Sequence, residues 1–184
     1  MTAKTIGVIQ VKGGAGRSTL STNLAGELSR LGRTVLIDCD MPQGTSASWF
    51  ALRDQVGKAG NLVLDTASTH RELVEKVQQY SDATYIVLDG PPRIAELTRA
   101  ILILADACLI PFDCDSFSRQ ALYGLLNEIE EMKDDHNEAL EVEGIVVNQF
   151  QPRAALPQQM IDELLGEGLP VLPINLMSSV KMRE

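Results

Sequence analysis

Apolar residues along this chain fall into two kinds of run, and the two kinds alternate. Seven short runs read as strands: Thr5–Val11, Thr34–Asp38, Leu62–Asp65, Tyr85–Asp89, Ala107–Pro111, Gly144–Asn148 and Pro170–Pro173. Most are continuous rather than alternating, so both faces are expected to be buried, as in a parallel sheet. Between them lie stretches with helical spacing. Leu20, Leu24, Leu28 and Leu31 recur along one face after Ser18, and Gly32 supplies a stop. Leu122, Leu125, Leu126, Ile129 and Met132 do the same after Ser116, with Glu128, Glu130, Glu131 and Lys133 on the wet face. Strand, loop and helix in repetition predict an α/β fold: three α/β/α layers around a mostly parallel sheet of about seven strands.

Composition narrows this picture in a few places. A length of 184 residues suits a single domain spanning 1–184. Aromatic residues make up only 4%, so the core must rest on Val, Ile, Leu and Ala. The net charge is −9, whereas a chain dedicated to nucleic acid is usually basic. Any DNA contact would need a local basic patch, assembled in an oligomer. Cys39, Cys108 and Cys114 are odd in number and lack paired metal spacing, which reads as reduced cysteine in a cytoplasmic protein. The opening MTAKTIGVIQV goes almost straight into a strand pattern, so no signal peptide is read. No apolar run approaches the ~18–20 residues of a membrane span, and Lys181 and Arg183 near the end are too few for a membrane patch. The acidic clusters Glu128–Glu131 and Glu138–Glu143 read as solvated surface.

Candidate chemistry begins after the first strand. Val8–Val11 runs into Lys12-Gly13-Gly14-Ala15-Gly16-Arg17-Ser18-Thr19, and a helix follows. The glycines let the backbone turn its N–H groups inward, and a helix N-terminus adds free donors and partial positive charge. Ser18 offers a hydroxyl for Mg²⁺ and Thr19 another for phosphate. The alternative is a glycine-rich turn without a ligand. A strict Walker A spacing is not met: Val11 falls on its first glycine and Arg17 on its lysine. The second strand ends Asp38-Cys39-Asp40-Met41-Pro42-Gln43-Gly44, which places two carboxylates at the carboxyl edge of the sheet beside that loop. Asp40 has helix capping as its plainer role. Asp89 ends the fourth strand after four apolar residues, the Walker B arrangement, and is followed by Gly90-Pro91-Pro92. Asn148 ends the sixth apolar run; its amide carries both a donor and an acceptor, and a turn role is the alternative.

Lys12-Gly13-Gly14-x-Gly16-[basic]-Ser18-Thr19 resembles the deviant Walker A motif of the ParA/MinD family of P-loop ATPases. The chain is closest in look to small ParA-type partition and positioning ATPases, including carboxysome-positioning McdA-like proteins. The resemblance spans Ile6 to Arg183 and implies the P-loop NTPase fold. It implies that Lys12 crosses a dimer to the phosphates held by the partner subunit, and that Gly13 to Thr19 cradle ATP. Asp38, Asp40, Pro42 and Gln43 resemble the family's Asp-x-Asp-Pro-Gln switch, with Met41 inserted. By that likeness Asp40 orients the attacking water, Asp38 supports the Mg²⁺ shell together with Ser18 and Asp89, and Asn148 reads adenine. Arg153 is a further candidate for phosphate or partner contact. Arg17 departs from the family, which has lysine there; an arginine is planar, larger and permanently charged.

The function so implied is slow, partner-stimulated ATP hydrolysis with Mg²⁺. It would drive an ATP-dependent homodimer that uses nonspecific nucleoid DNA to position a plasmid, a chromosome region or a carboxysome. A stimulating adaptor protein is expected, and no membrane partner. Two other readings stay open. One is a metabolic P-loop enzyme of the dethiobiotin synthetase type. The other is a nucleotide-dependent scaffold that does not hydrolyse, which Arg17 would permit. A nitrogenase-reductase role does not fit, because Cys108 and Cys114 are too close together for that family's cluster ligands.

Overall fold

The computed structural model describes residues 3–41, 43–150 and 155–177. Pro42, Arg153, Lys181 and Arg183 lie outside the described residues. Seven strands form one sheet: β1 (Lys4–Val8), β2 (Thr34–Asp38), β3 (Leu62–Thr66), β4 (Tyr85–Asp89), β5 (Ala107–Asp113), β6 (Glu141–Phe150) and β7 (Val171–Met177). Their order is β3-β2-β4-β1-β5-β6-β7 and every pairing is parallel. The helices are α1 (Arg17–Leu28), α2 (Thr45–Gln55), α3 (His70–Gln79), α4 (Glu96–Leu104), α5 (Ser116–Asp135) and α6 (Ala155–Gly166).

This order dictates where the helices go. The chain steps one way from β1 through β2 to β3, then returns and steps the other way through β4, β5, β6 and β7. A right-handed crossover sends its helix to opposite faces for the two directions. Accordingly Leu20 and Ala25 of α1 and Trp49 of α2 pack with Val8, Leu36, Val87 and Val146. On the other face Leu73 of α3, Ile101 of α4, Leu125 of α5 and Leu164 of α6 pack with Ile9, Ile37, Leu88, Ile110 and Phe112. Each fully buried Ile, Leu or Phe contributes about 1.5–3 kcal/mol of transfer free energy, which the ordering entropy of the chain largely offsets.

The same reversal builds a crevice. The loop after β1 leaves toward the face that carries α1, and the loop after β4 leaves toward the face that carries α4. β1 and β4 are neighbours, so their loops part and open a cleft at the carboxyl edge, where open α/β sheets bind ligands. Register then lines up the candidate residues. Asp38 pairs with Asp89, Asp89 with Val8, and Asp113 with Asn148.

Several boundaries differ from expectation. β1 stops at Val8: Ile9 N still donates to Leu109 O, but the Val11 and Lys12 N–H groups turn to the side chain of Gln10. α1 ends at Leu28, where Gly32 N donates to Leu28 O, and this leaves Leu31 74% exposed rather than on the apolar face. β6 runs from Glu141 and β7 to Met177, both longer than their apolar runs. β7 is also not buried on both faces: it is an edge strand, and Ile174 and Met177 are exposed.

Candidate functional site

The loop after β1 is anchored before it turns. Gln10 is buried, and its amide serves two elements at once. Nε2 donates to Pro111 O on β5 at 3.0 Å, while Oε1 accepts from Val11 N at 2.8 Å and Lys12 N at 3.3 Å. Beyond this anchor, Gly14 (φ 77°) and Gly16 (φ 92°) adopt left-handed backbone that disfavours a side chain. Gly16 has a second reason to lack one: a Cβ there would lie 2.2 Å from Asn148 Nδ2. Gly16 is also the N-cap of α1 and offers no capping side chain, and the first helical bond is Leu20 N to Gly16 O at 2.9 Å. As a result no backbone N–H from Gly13 to Thr19 has a hydrogen-bond partner among the described residues. Gly13, Gly14, Gly16, Ser18 and Thr19 line a pocket of about 390 Å³, bounded opposite by Asp40, Gln43 and Thr45. Unpaired donors at a helix N-terminus form an anion site, and a chain of phosphates fits this run of donors.

Arg17 opens α1, yet its side chain turns into the crevice and is only 8% exposed. Nε donates to Gly90 O just past β4 at 2.9 Å, and Nη1 donates to Gln10 O at 2.6 Å and Lys12 O at 2.9 Å. Nη2 lies 4.0 Å from Asp40 Oδ2, and both residues line the pocket. Burial lowers the Arg17 pKa, against the pull of Asp89 and Asp40; an arginine keeps its charge even so. Burial raises the Asp40 pKa, Arg17 opposes the rise, and Asp38 adds to it.

The carboxylates divide by environment. Asp89 is fully buried and accepts from Ser46 Oγ at 2.6 Å and Ser21 Oγ at 3.0 Å, with the Ser18 hydroxyl close by. Burial raises its pKa; the hydroxyls of Ser46, Ser18 and Ser21 resist, and Asp38 alongside reinforces the rise. Asp38 is equally buried, but its oxygens go to backbone: Oδ1 accepts from Asp40 N at 3.0 Å and Oδ2 from Ala47 N at 3.1 Å in the first turn of α2. Ser18 and Asp89 therefore form the hydroxyl–carboxylate pair able to serve a hard cation, which keeps several waters of its own. No group of three or more His, Cys, Asp or Glu among the described residues could hold a metal unaided, so such an ion would rely on ligand oxygens as well.

Lys12 folds back onto its own chain. Its Nζ donates to Ser118 Oγ at 2.9 Å, bonds to Asp115, and lies 3.6 Å from Asp113 Oδ2. Asp115 is the N-cap of α5, its Oδ1 accepting from Ser118 N at 2.8 Å. Burial acts to raise Asp115, but bonds from Lys12 and Ser118 outweigh it and hold its pKa below the usual carboxylate range. Asp113 is more enclosed: burial raises its pKa against the pull of Lys12, and its Oδ1 is buried without a partner. Asn148 Nδ2 donates to Ala15 O at 3.0 Å, which ties β6 to the loop.

Lys12 to Thr19, Asp38, Asp40, Asp89 and Asn148 thus meet at one edge of the sheet. Gln10, Ser21, Asp113, Asp115 and Ser118 did not stand out in the sequence. Gln10 left one signal, as a polar residue inside an apolar strand run. Asp115 left another, as a helix-capping residue just after the fifth run.

Comparison with known proteins finds relatives by sequence and by fold. Residues 6–183 match the family model described as the CobQ/CobB/MinD/ParA nucleotide binding domain. The maintenance of carboxysome distribution protein A of Halothiobacillus neapolitanus is 31% identical over 172 residues, covering 92% of this chain and 77% of that protein. The chromosome partitioning protein ParA of Myxococcus xanthus is 28% identical over 193 residues, covering 84% of this chain and 68% of the relative. Among solved structures, a Cyanothece McdA variant in complex with ATP superposes with a TM-score of 0.83 at 16% identity, covering 99% of this chain and 86% of that one. Cobyrinic acid a,c-diamide synthase from Mycobacterium smegmatis, with bound ADP and magnesium, superposes at 0.81 and 16% identity, covering 97% and 88%. These structural likenesses speak to the fold.

Proposed function

The chain belongs to the CobQ/CobB/MinD/ParA nucleotide binding domain family, and on that footing we propose that it is a ParA-like positioning ATPase. One domain, 1–184, takes ATP with Mg²⁺ between two copies of itself, binds nonspecific DNA on the nucleoid as a dimer, and is released when an adaptor protein stimulates hydrolysis. The observation that carries this reading is the unbroken run of N–H groups from Gly13 to Thr19, without hydrogen-bond partners among the described residues, at the crevice between β1 and β4. Preorganised donors of that kind stabilise the charge that develops on transferring phosphate.

Each residue then has a task. Gly13, Gly14, Ala15, Gly16, Arg17, Ser18 and Thr19 bind the phosphates. Mg²⁺ when bound neutralises phosphate charge. Ser18 would offer it a hydroxyl, and Asp89, with the Ser18 hydroxyl close by, would serve its water shell. Asp38 fixes the segment leading to Asp40 through its two backbone contacts. Asp40 borders the pocket with a raised pKa, so it is a better proton acceptor than an open carboxylate and orients the attacking water. Lys12 leaves Asp115 to reach the partner subunit's nucleotide, and Asn148 holds the loop from the adenine side. The test is light scattering with Mg-ADP, Mg-ATP and a slowly hydrolysed ATP analogue. A dimer with ATP or the analogue only, weakened in Lys12→Ala, supports the proposal; a mass indifferent to nucleotide defeats it. Retention on DNA should fall steeply with salt.

One observation favours a second reading, a metabolic P-loop enzyme. A cleft of about 760 Å³ adjoins the pocket, shares Asp40, Gln43 and Pro92 with it, and carries Arg93 and a contact of His70 Nδ1 with Glu96 Oε1 at 2.7 Å. Turnover that requires an added small carboxylate would favour that reading over the first.

A further inference from the structure

We propose that Arg17 is a positioning residue, a clasp that fastens the phosphate loop to β4 before any nucleotide arrives and meets phosphate through Nη2 alone. The proposal rests on the reading of the pocket as a nucleotide site, and adds how that site is held ready.

A guanidinium has five N–H donors in a rigid fork. Three are spent on main-chain carbonyls: Nε on Gly90 O, and Nη1 on Gln10 O and Lys12 O. Those carbonyls belong to the two sides of the crevice. Gln10 and Lys12 lie in the loop that leaves β1 toward one face, and Gly90 follows β4, whose connection leaves toward the other. Nothing else described ties the Lys12 carbonyl to the body of the fold. The clasp therefore bridges the sheet at the point where the two loops part, and it fixes the start of the segment whose N–H groups stay unpaired. Holding those donors in place before binding lowers the ordering cost that a nucleotide must meet.

The fork geometry is what makes both tasks compatible. An ammonium carries its three donors on a single nitrogen, so a lysine at this position cannot span Gly90 O, Gln10 O and Lys12 O and also hold a separate nitrogen toward the pocket. The arginine keeps Nη2 for the pocket while Nε and Nη1 stay on the backbone. Asp40 Oδ2, at 4.0 Å, is the charged group described as facing that last nitrogen. A phosphate arriving at Nη2 competes with Asp40 for it and releases the carboxylate toward water. The residue that holds the loop thereby also couples phosphate arrival to Asp40.

The test uses the Arg17 Nε–H resonance of the intact chain, observed by NMR with Mg-ADP as the probe, together with Arg17→Lys. The clasp predicts a slowly exchanging Nε–H signal in the free protein that persists unchanged when Mg-ADP saturates the site. It also predicts that Arg17→Lys, which keeps the charge, weakens Mg-ADP binding about tenfold or more and displaces the amide signals of Gly13, Gly14 and Gly16. Loss of the Nε–H signal on adding Mg-ADP overturns the proposal, since the side chain has then swung to phosphate. Wild-type affinity and unchanged glycine signals in Arg17→Lys overturn it equally. If that variant does not fold, the wild-type resonance decides alone. All these readouts are taken on ADP, so a failure of ATP-driven dimerisation leaves them intact and counts only against the positioning function.

Discussion

Lys12 and Asp115 are joined within one chain, the ammonium at the start of the phosphate loop closing on the carboxylate that caps α5. Under the proposed function Lys12 must leave this partner to serve the other subunit, so the pair opposes dimerisation. Both side chains are partly exposed, 26% and 45%, which limits the pair to about 1 kcal/mol. Asp115→Asn keeps a capping side chain and should move the midpoint of ATP-driven dimerisation to lower ATP by about fivefold. An unchanged midpoint by light scattering would remove Asp115 from the account.

Asp89 predicts a trade of stability against function. Its folded pKa is raised by burial, so its proton is held more tightly in the fold than in the unfolded chain. The associated stability is present at low pH and is lost as pH rises through the raised value. At neutral pH Asp89→Asn should therefore melt about 2–4 °C higher than the parent, the shift that roughly 1 kcal/mol produces at this size. The gain should shrink as pH falls toward the range where Asp89 takes up its proton, while Mg²⁺-dependent nucleotide affinity is lost. A lower melting temperature at neutral pH would contradict this.

Gly16 and Gly13 sit in the same loop but should respond differently. Alanine at 16 meets both a φ of 92° and Asn148 Nδ2 at 2.2 Å, whereas alanine at 13 finds nothing within 4 Å. Gly16→Ala should cost about 1–3 kcal/mol in thermal unfolding. Gly13→Ala should stay within about 0.5 kcal/mol. Equal costs would mean that Asn148 does not pack on the loop as described.

The raised pKa of Asp40 should appear in the rate. As pH falls, Asp40 takes up a proton earlier than an ordinary carboxylate, and ATP turnover should decline at a pH above the usual carboxylate range. Asp40→Asn should retain nucleotide binding and lose both turnover and that acid limb. Turnover that persists in Asp40→Asn would assign the water to another group.

The central strands were legible because burial on both faces leaves nothing but apolar residues between the turn signals: β2 and β4 begin and end where their runs do. Asp38 and Asp89 were legible for the same reason, as charges that close such runs. The ends of β1 and β7 were not. Gln10 replaces ladder bonds with its own amide, and β7 borders solvent, and neither fact shows in an apolar run. The role of Arg17 was hidden further, since one of its carbonyl partners, Gly90, lies 73 residues away and contributes only backbone. Lys12 stands in the loop, and its neighbours Asp113 and Asp115 come from a strand end and a helix cap that only the sheet order brings beside it.

The most direct measurement is a calorimetric titration of Mg-ATP into the protein, beside the same titration into Gly16→Ala. The account predicts saturable binding at one site per chain, weakened in Gly16→Ala, because the unpaired N–H groups of Gly13 to Thr19 receive the phosphates. Absence of binding heat for Mg-ATP and Mg-ADP in the folded parent chain would contradict it.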